Sequence, residues 1–161
     1  MTTEQATRDA IGASIGKIPS GCHIVTAKSK DGSKQVGMLA SWVTQAGFEP
    51  PMITIAVHPE RELYQVIEET GRFSVNVMSK ENLGLMKVFA KYSPGQFEQV
   101  PCCETGYGFT LNDTIAVIQC ELAGELKNGD HYVLLGKVVN AEMQNPDAEP
   151  FVHIRKSAFN Y

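Results

Sequence analysis

The sequence predicts a mainly β domain, a small antiparallel barrel of Greek-key type with helices packed on its outside. Three observations carry that expectation. The 161 residues hold about seven stretches with strand-type patterning and about three with helix-type patterning. Two tight polar turns, at 30–33 and 127–130, join apolar runs, and such turns connect antiparallel strands. Strand-rich chains of this size hide their sheet edges by closing into a barrel. An open α+β sheet is the alternative.

Residues 2–15 read as a helix. Thr2 followed by Gln5 fits a capping box, and Ala6, Ala10, Ile11 and Ile15 share one face. Pro19-Ser20-Gly21 ends it. Residues 22–27 form a strand, Lys30-Asp31-Gly32-Ser33 a turn, and 36–43 a second strand. Residues 44–51 are a loop closed by Pro50-Pro51, and 52–57 a third strand with β-branched Ile53, Thr54, Ile55 and Val57. Pro59 suits the first turn of a helix whose apolar face is Leu63, Val66 and Ile67, with Gly71 as its C-cap. A strand follows over 72–78. Ser79 caps a third helix with Leu83, Met86 and Phe89 or Ala90 on its face. Residues 92–113 read as irregular, and so long a loop either serves function or covers something. Residues 114–126 and 131–144 are long strands, and 151–155 a last short one before Tyr161.

Charge and composition exclude several function classes. With 14 basic and 18 acidic residues the net charge is −4, against the basic excess of nucleic-acid binders. No apolar run reaches the roughly 18 residues of a membrane span, and the first residues lack the basic and apolar regions of a secretory signal. The expectation is a soluble cytoplasmic protein with free thiols at Cys22, Cys102, Cys103 and Cys120. Cys22 and Cys120 fit core positions. No Cys or His spacing suits a metal.

GxSxG, Walker A and GxGxxG motifs are missing. Three segments stand out instead. The first surrounds Trp42, the only tryptophan, with Gly37, Ala40, Ser41, Ala46 and Gly47. Small residues let a flat ligand approach the backbone; a buried core tryptophan is the other reading. The second is His131, opening an apolar strand after a turn. It is either a proton-handling group or a turn residue bonded to Asp130. The third is Lys91, just past a helix: a phosphate clamp or an ordinary surface lysine.

Together the motifs resemble a known family. They run Gly-Lys-Ile-Pro-Ser-Gly at 16–21, Ala-Ser-Trp-Val-Thr-Gln-Ala-Gly-Phe-Glu-Pro-Pro at 40–51 and Arg-Phe-Ser-Val-Asn-Val at 72–77. Gly-Asp-His follows at 129–131 and Val-His-Ile-Arg-Lys-Ser-Ala-Phe-Asn-Tyr at 152–161. This order resembles the flavin reductase-like family of FMN-binding split barrels. Within it the chain is most similar to flavoredoxins and to the C-terminal flavin reductase domain of cyanobacterial diflavin flavodiiron proteins.

The resemblance implies one split-barrel domain over 1–161, forming a homodimer that binds FMN and takes electrons from NADH or NADPH. The acceptor would be flavin, oxygen, iron or a redox protein such as a flavodiiron or monooxygenase component. A flavin or haem carrier on the same barrel, or an electron-transfer module, is the alternative. By the match, Ala40, Ser41, Trp42, Val43 and Thr44 line the flavin ring and ribityl chain. Thr44, Gln45 and Gly47 lie toward the phosphate, with Lys91 as its basic partner. Several relatives carry Ser where this chain has Gln45 and Gly47, which leaves backbone contacts to the phosphate there. His131, paired with Asp130, would stand where the nicotinamide stacks, and its loss would slow turnover rather than abolish it.

Overall fold

The computed structural model describes residues 2–159. Among them are eleven strands and three α-helices. The strands are β1 (Ser20–Gly21), β2 (His23–Lys28), β3 (Gln35–Ala40), β4 (Val43–Gly47), β5 (Met52–Val57) and β6 (Arg72–Val77). They continue with β7 (Cys102–Thr105), β8 (Gly108–Leu111), β9 (Ala116–Asn128), β10 (His131–Met143) and β11 (Val152–His153). The helices are α1 (Thr3–Gly16), α2 (Glu62–Thr70) and α3 (Leu83–Phe89). No helix among the described residues is long and apolar enough to cross a membrane.

Seven strands form one antiparallel sheet in the order β3-β2-β6-β9-β10-β5-β4. Its two outer strands, β3 and β4, are consecutive in the chain and separated only by Ser41 and Trp42. A two-residue link cannot span a flat seven-stranded sheet, so the sheet must roll until its edges meet there. The Ala56 amide donates to the Trp42 carbonyl at 3.0 Å and fixes the corner on β5. The predicted antiparallel barrel is present, and it closes at Trp42.

Two apolar clusters fill the molecule. One lies between the sheet and α2 and holds Val25, Ile55, Leu63, Ile67, Phe73, Cys120 and Leu134. The other holds Cys22, Ile24, Met78, Phe89, Phe97, Phe109 and Leu111. Cys22 and Cys120 are buried, as expected.

Several elements differ from expectation. The loop predicted over 44–51 contains β4, whose alternation is lost because most of its residues are exposed. The irregular stretch over 92–113 contains a short 3-10 turn and the hairpin β7–β8. It covers the second cluster, where Phe97 stacks on Phe109 with ring centroids 3.9 Å apart. Buried Gln96 accepts the Gly37 amide at 3.0 Å. Pro59 lies in the turn closed by the Arg61 amide to the His58 carbonyl (3.0 Å), and α2 starts only at Glu62. Ser79 caps a 3-10 turn over Lys80–Asn82 that leads into α3.

In α1 Thr2 Oγ1 accepts the Gln5 amide at 3.2 Å, the N-cap half of the expected capping box, while the Gln5 side chain donates to Asp9 Oδ1 at 2.7 Å. The packed face differs from expectation. Ala6, Ala10, Ile11 and Ile15 are exposed, while Gly12 and Gly16 are buried against the C-terminal segment. A Cβ on Gly12 would lie 2.7 Å from Ser157 Oγ, and one on Gly16 would lie 2.8 Å from the Arg155 carbonyl oxygen. Asn160 and Tyr161 of the terminal motif lie outside the described residues.

His23 opens β2 largely buried, and its Nδ1 has no hydrogen-bond partner among the described residues. Burial pushes its pKa from the ordinary 6.5 down to about 4. Between those values the unfolded chain binds a proton that the folded one refuses, so stability is lost as pH falls from 6.5 to 4. We expect the imidazole to account for a loss of about 3 kcal/mol across that window. Denaturant titrations of His23→Phe should show a flatter profile there; a profile as steep as the wild type would contradict the assignment.

Candidate functional site

The closing corner of the barrel shapes a cavity of about 340 Å³. Ala40, Ser41 and Trp42 form one wall, with His58, Arg61, Ala90 and His131 around the rest. Each is placed by a different element end. His58 follows β5, and His131 opens β10. Tyr132 pairs with Val57 across that ladder, so His131 stands beside His58 at the same end of the sheet. Arg61 is the N-cap of α2, and Ala90 is the C-cap of α3.

The rings pack against one another. His131 meets Trp42 edge-on, with centroids 4.8 Å apart and planes at 65°. His58 meets the same His131 at 5.5 Å and 87°. The Arg155 guanidinium lies over Trp42, 5.2 Å from the ring centroid. The Arg155 amide bonds the Gly16 carbonyl at 3.1 Å, so the α1 and C-terminal layer holds that cation in place.

His131 Nδ1 is 3.1 Å from Asp130 Oδ1. That hydrogen bond, then the charge attraction of His131, holds the Asp130 carboxyl below the usual carboxylate range. An ionised carboxylate can only accept, so the Nδ1 of His131 carries the proton and neutral His131 keeps a lone pair on Nε2.

The structure thus joins Ala40, Ser41, Trp42 and His131 in one cavity. Val43 turns toward the first core cluster. Thr44, Gln45 and Gly47 run on along β4 outside the cavity wall, and Gln45 Nε2 donates to the Gly47 carbonyl at 3.4 Å. Lys91 is exposed, one residue past the wall residue Ala90. Sequence reasoning missed His58 and Arg61. The only signal was a basic pair around Pro59 between a strand and an amphipathic helix.

A larger open cleft, about 900 Å³, lies elsewhere among Ser79, Glu81, Asn112, Asp113 and Asp147. Its lining has no basic residue and no aromatic ring. It therefore offers nothing to a flat anionic ligand, whereas the smaller cavity offers both.

Residues 15–161 match the family model described as flavin reductase like domain. Diflavin flavoprotein A 1 of Synechocystis sp. is 35% identical over 147 residues, covering 88% of this chain and 25% of its own length. A Nostoc sp. relative, numbered A 6 among such diflavin flavoproteins, is 35% identical over 166 residues, with 100% of this chain and 29% of its length covered. The chain spans less than a third of either relative. Among solved structures, the Streptomyces globisporus C-1027 NADH:FAD oxidoreductase SgcE6 superposes with a TM-score of 0.81 at 25% identity, covering 88% of this chain and 86% of that one. The same protein has been seen in complex with NAD and FAD fragments.

Proposed function

The chain belongs to the flavin reductase-like family, and from that premise we propose that it is an FMN-binding NAD(P)H:flavin oxidoreductase with its flavin in the Trp42 cavity. One observation carries the reading: closure of the barrel at Ser41–Trp42 gathers Trp42, small-residue backbone and His131 around a single cavity. The residues fit a flavin. The volume of about 340 Å³ lies within the roughly 300–1,000 Å³ of cofactor pockets. Ala40 and Ala56 leave the backbone open to a flat ring, and Arg61 supplies positive charge.

A bound flavin supplies the hydride-accepting chemistry, so the protein needs no acid/base dyad. Ala40, Ser41 and Trp42 wall the ring and exclude water, and Val43, whose side chain packs on the core, reaches the ribityl chain through its backbone. Thr44, Gln45 and Gly47 extend that wall along β4 toward the phosphate, where backbone amides donate. Lys91 and Arg61 offset the phosphate charge. His131, oriented by Asp130 and Trp42, faces the slot in which the nicotinamide stacks. FMN is favoured over FAD because the basic residues suit a terminal phosphate. A homodimer is part of the reading, and the exposed Ile15, Ile18, Val152 and Ile154 supply apolar surface for it.

A second reading is an electron-transfer module, favoured by relatives in which the matched segment is about a quarter of the length. Electrons would then come from or go to a flavodiiron or similar redox partner. Steady-state oxidation of NADH and NADPH with added FMN separates the two. Turnover supports the reductase; flavin binding without turnover supports the module. For the phosphate site, Lys91→Ala should weaken FMN about tenfold while leaving riboflavin within about twofold. Equal losses for both ligands would remove Lys91 from that role.

A further inference from the structure

We propose that His58 and His131 together read an amide edge of the bound ligand, His58 as hydrogen-bond donor and His131 as acceptor. The inference rests on the Trp42 cavity being the flavin site. Both imidazoles line that cavity, and each has its Nδ1 committed locally. The Glu60 backbone amide lies 3.2 Å from His58 Nδ1. An amide N–H can only donate, so this nitrogen accepts and the neutral ring carries its proton on Nε2. The Glu60 carboxylate is farther, 3.9 Å from the same atom. His131 is the reverse: its Nδ1 donates to Asp130, and Nε2 accepts.

The two Nε2 atoms, for which no hydrogen-bond partner is found among the described residues, are therefore of opposite kind, on rings packed edge-on at 5.5 Å. One donor beside one acceptor complements a group with C=O beside N–H. Two ligands of the proposed reaction carry that group: the nicotinamide carboxamide and the pyrimidine edge of the flavin. A bare aromatic slot would bind either ring in several orientations. The histidine pair would select one orientation.

The test has two parts. In the unliganded protein near pH 8, nitrogen-15 spectra of the imidazoles should show the Nε2–H form for His58 and the Nδ1–H form for His131. The opposite form at His58 overturns the proposal. His58→Phe keeps a flat ring against His131 and deletes the donor, while His58→Gln restores an N–H. The Phe variant should lose about tenfold in affinity for the ligand read. The Gln variant should recover to within about threefold of wild type. A loss confined to the KM for NADH or NADPH identifies the carboxamide, and a loss confined to the FMN Kd identifies the flavin edge. Unchanged values, or losses that Gln does not rescue, overturn the pair's role. Failure of the wild type to bind FMN would instead overturn the reductase reading on which it rests.

Discussion

Ser41→Trp is expected to lower FMN affinity by more than about 100-fold while the barrel stays folded. Ser41 is 4% exposed and sits at the corner where the sheet edges meet. Ser41 lines the cavity beside Trp42. An indole there has two places to go. Turned inward, it would overpack the corner, at a cost of about 1–3 kcal/mol. Turned into the cavity it meets open space, so that orientation wins and the flavin slot is filled. Absorbance titration with FMN reads the affinity, and circular dichroism with a thermal melt checks the fold. A folded variant with wild-type affinity would move the flavin out of this cavity.

Gly108→Ala is expected to give a large stability loss, about 3–5 kcal/mol, or a melting point lower by about 10 °C. Two causes add. Gly108 has φ +114°, which L residues rarely adopt. A Cβ there would also lie 2.8 Å from the Thr26 backbone carbonyl. Thr26 cannot yield, because its hydroxyl both donates to the Phe109 carbonyl and accepts the Phe109 amide, each at 2.9 Å. Asn76 ties the same hairpin down, accepting the Leu111 amide at 2.8 Å. Gly106→Ala, two residues away, is the control. The nearest atom to its added methyl would be Arg72 Nη1 at 4.0 Å, so little change is expected. Equal melting points for the two variants would contradict the role of Gly108 in holding the hairpin to the barrel.

The parts of the fold legible in the sequence are those whose local pattern and tertiary environment agree. In β5, β-branched residues alternate with the barrel interior, and its bounds match those read from sequence. In α2, Leu63, Val66 and Ile67 face the core and Gly71 closes the helix in the left-handed conformation. Where tertiary contacts decide, the pattern misleads. The α1 stripe of Ala6, Ala10, Ile11 and Ile15 looks like a packing face, but close backbone approach selects Gly12 and Gly16. β4 and the β7–β8 hairpin are short and partly exposed, so they carry little hydrophobic periodicity. The Trp42–His131 contact joins residues far apart in sequence; the family resemblance put both at one flavin site but implied no contact between them. His58 was invisible for a related reason. A histidine before a proline reads as turn material until the barrel brings it against His131.

The most direct test of the central claim is the absorbance spectrum of the purified chain, titrated anaerobically with FMN and then with NADH and NADPH. A saturable shift in the flavin bands is expected, followed by bleaching with at least one nicotinamide. No shift with FMN would contradict the assignment of the Trp42 cavity. A shift without bleaching by either nicotinamide would contradict the reductase activity and leave a flavin-binding electron module.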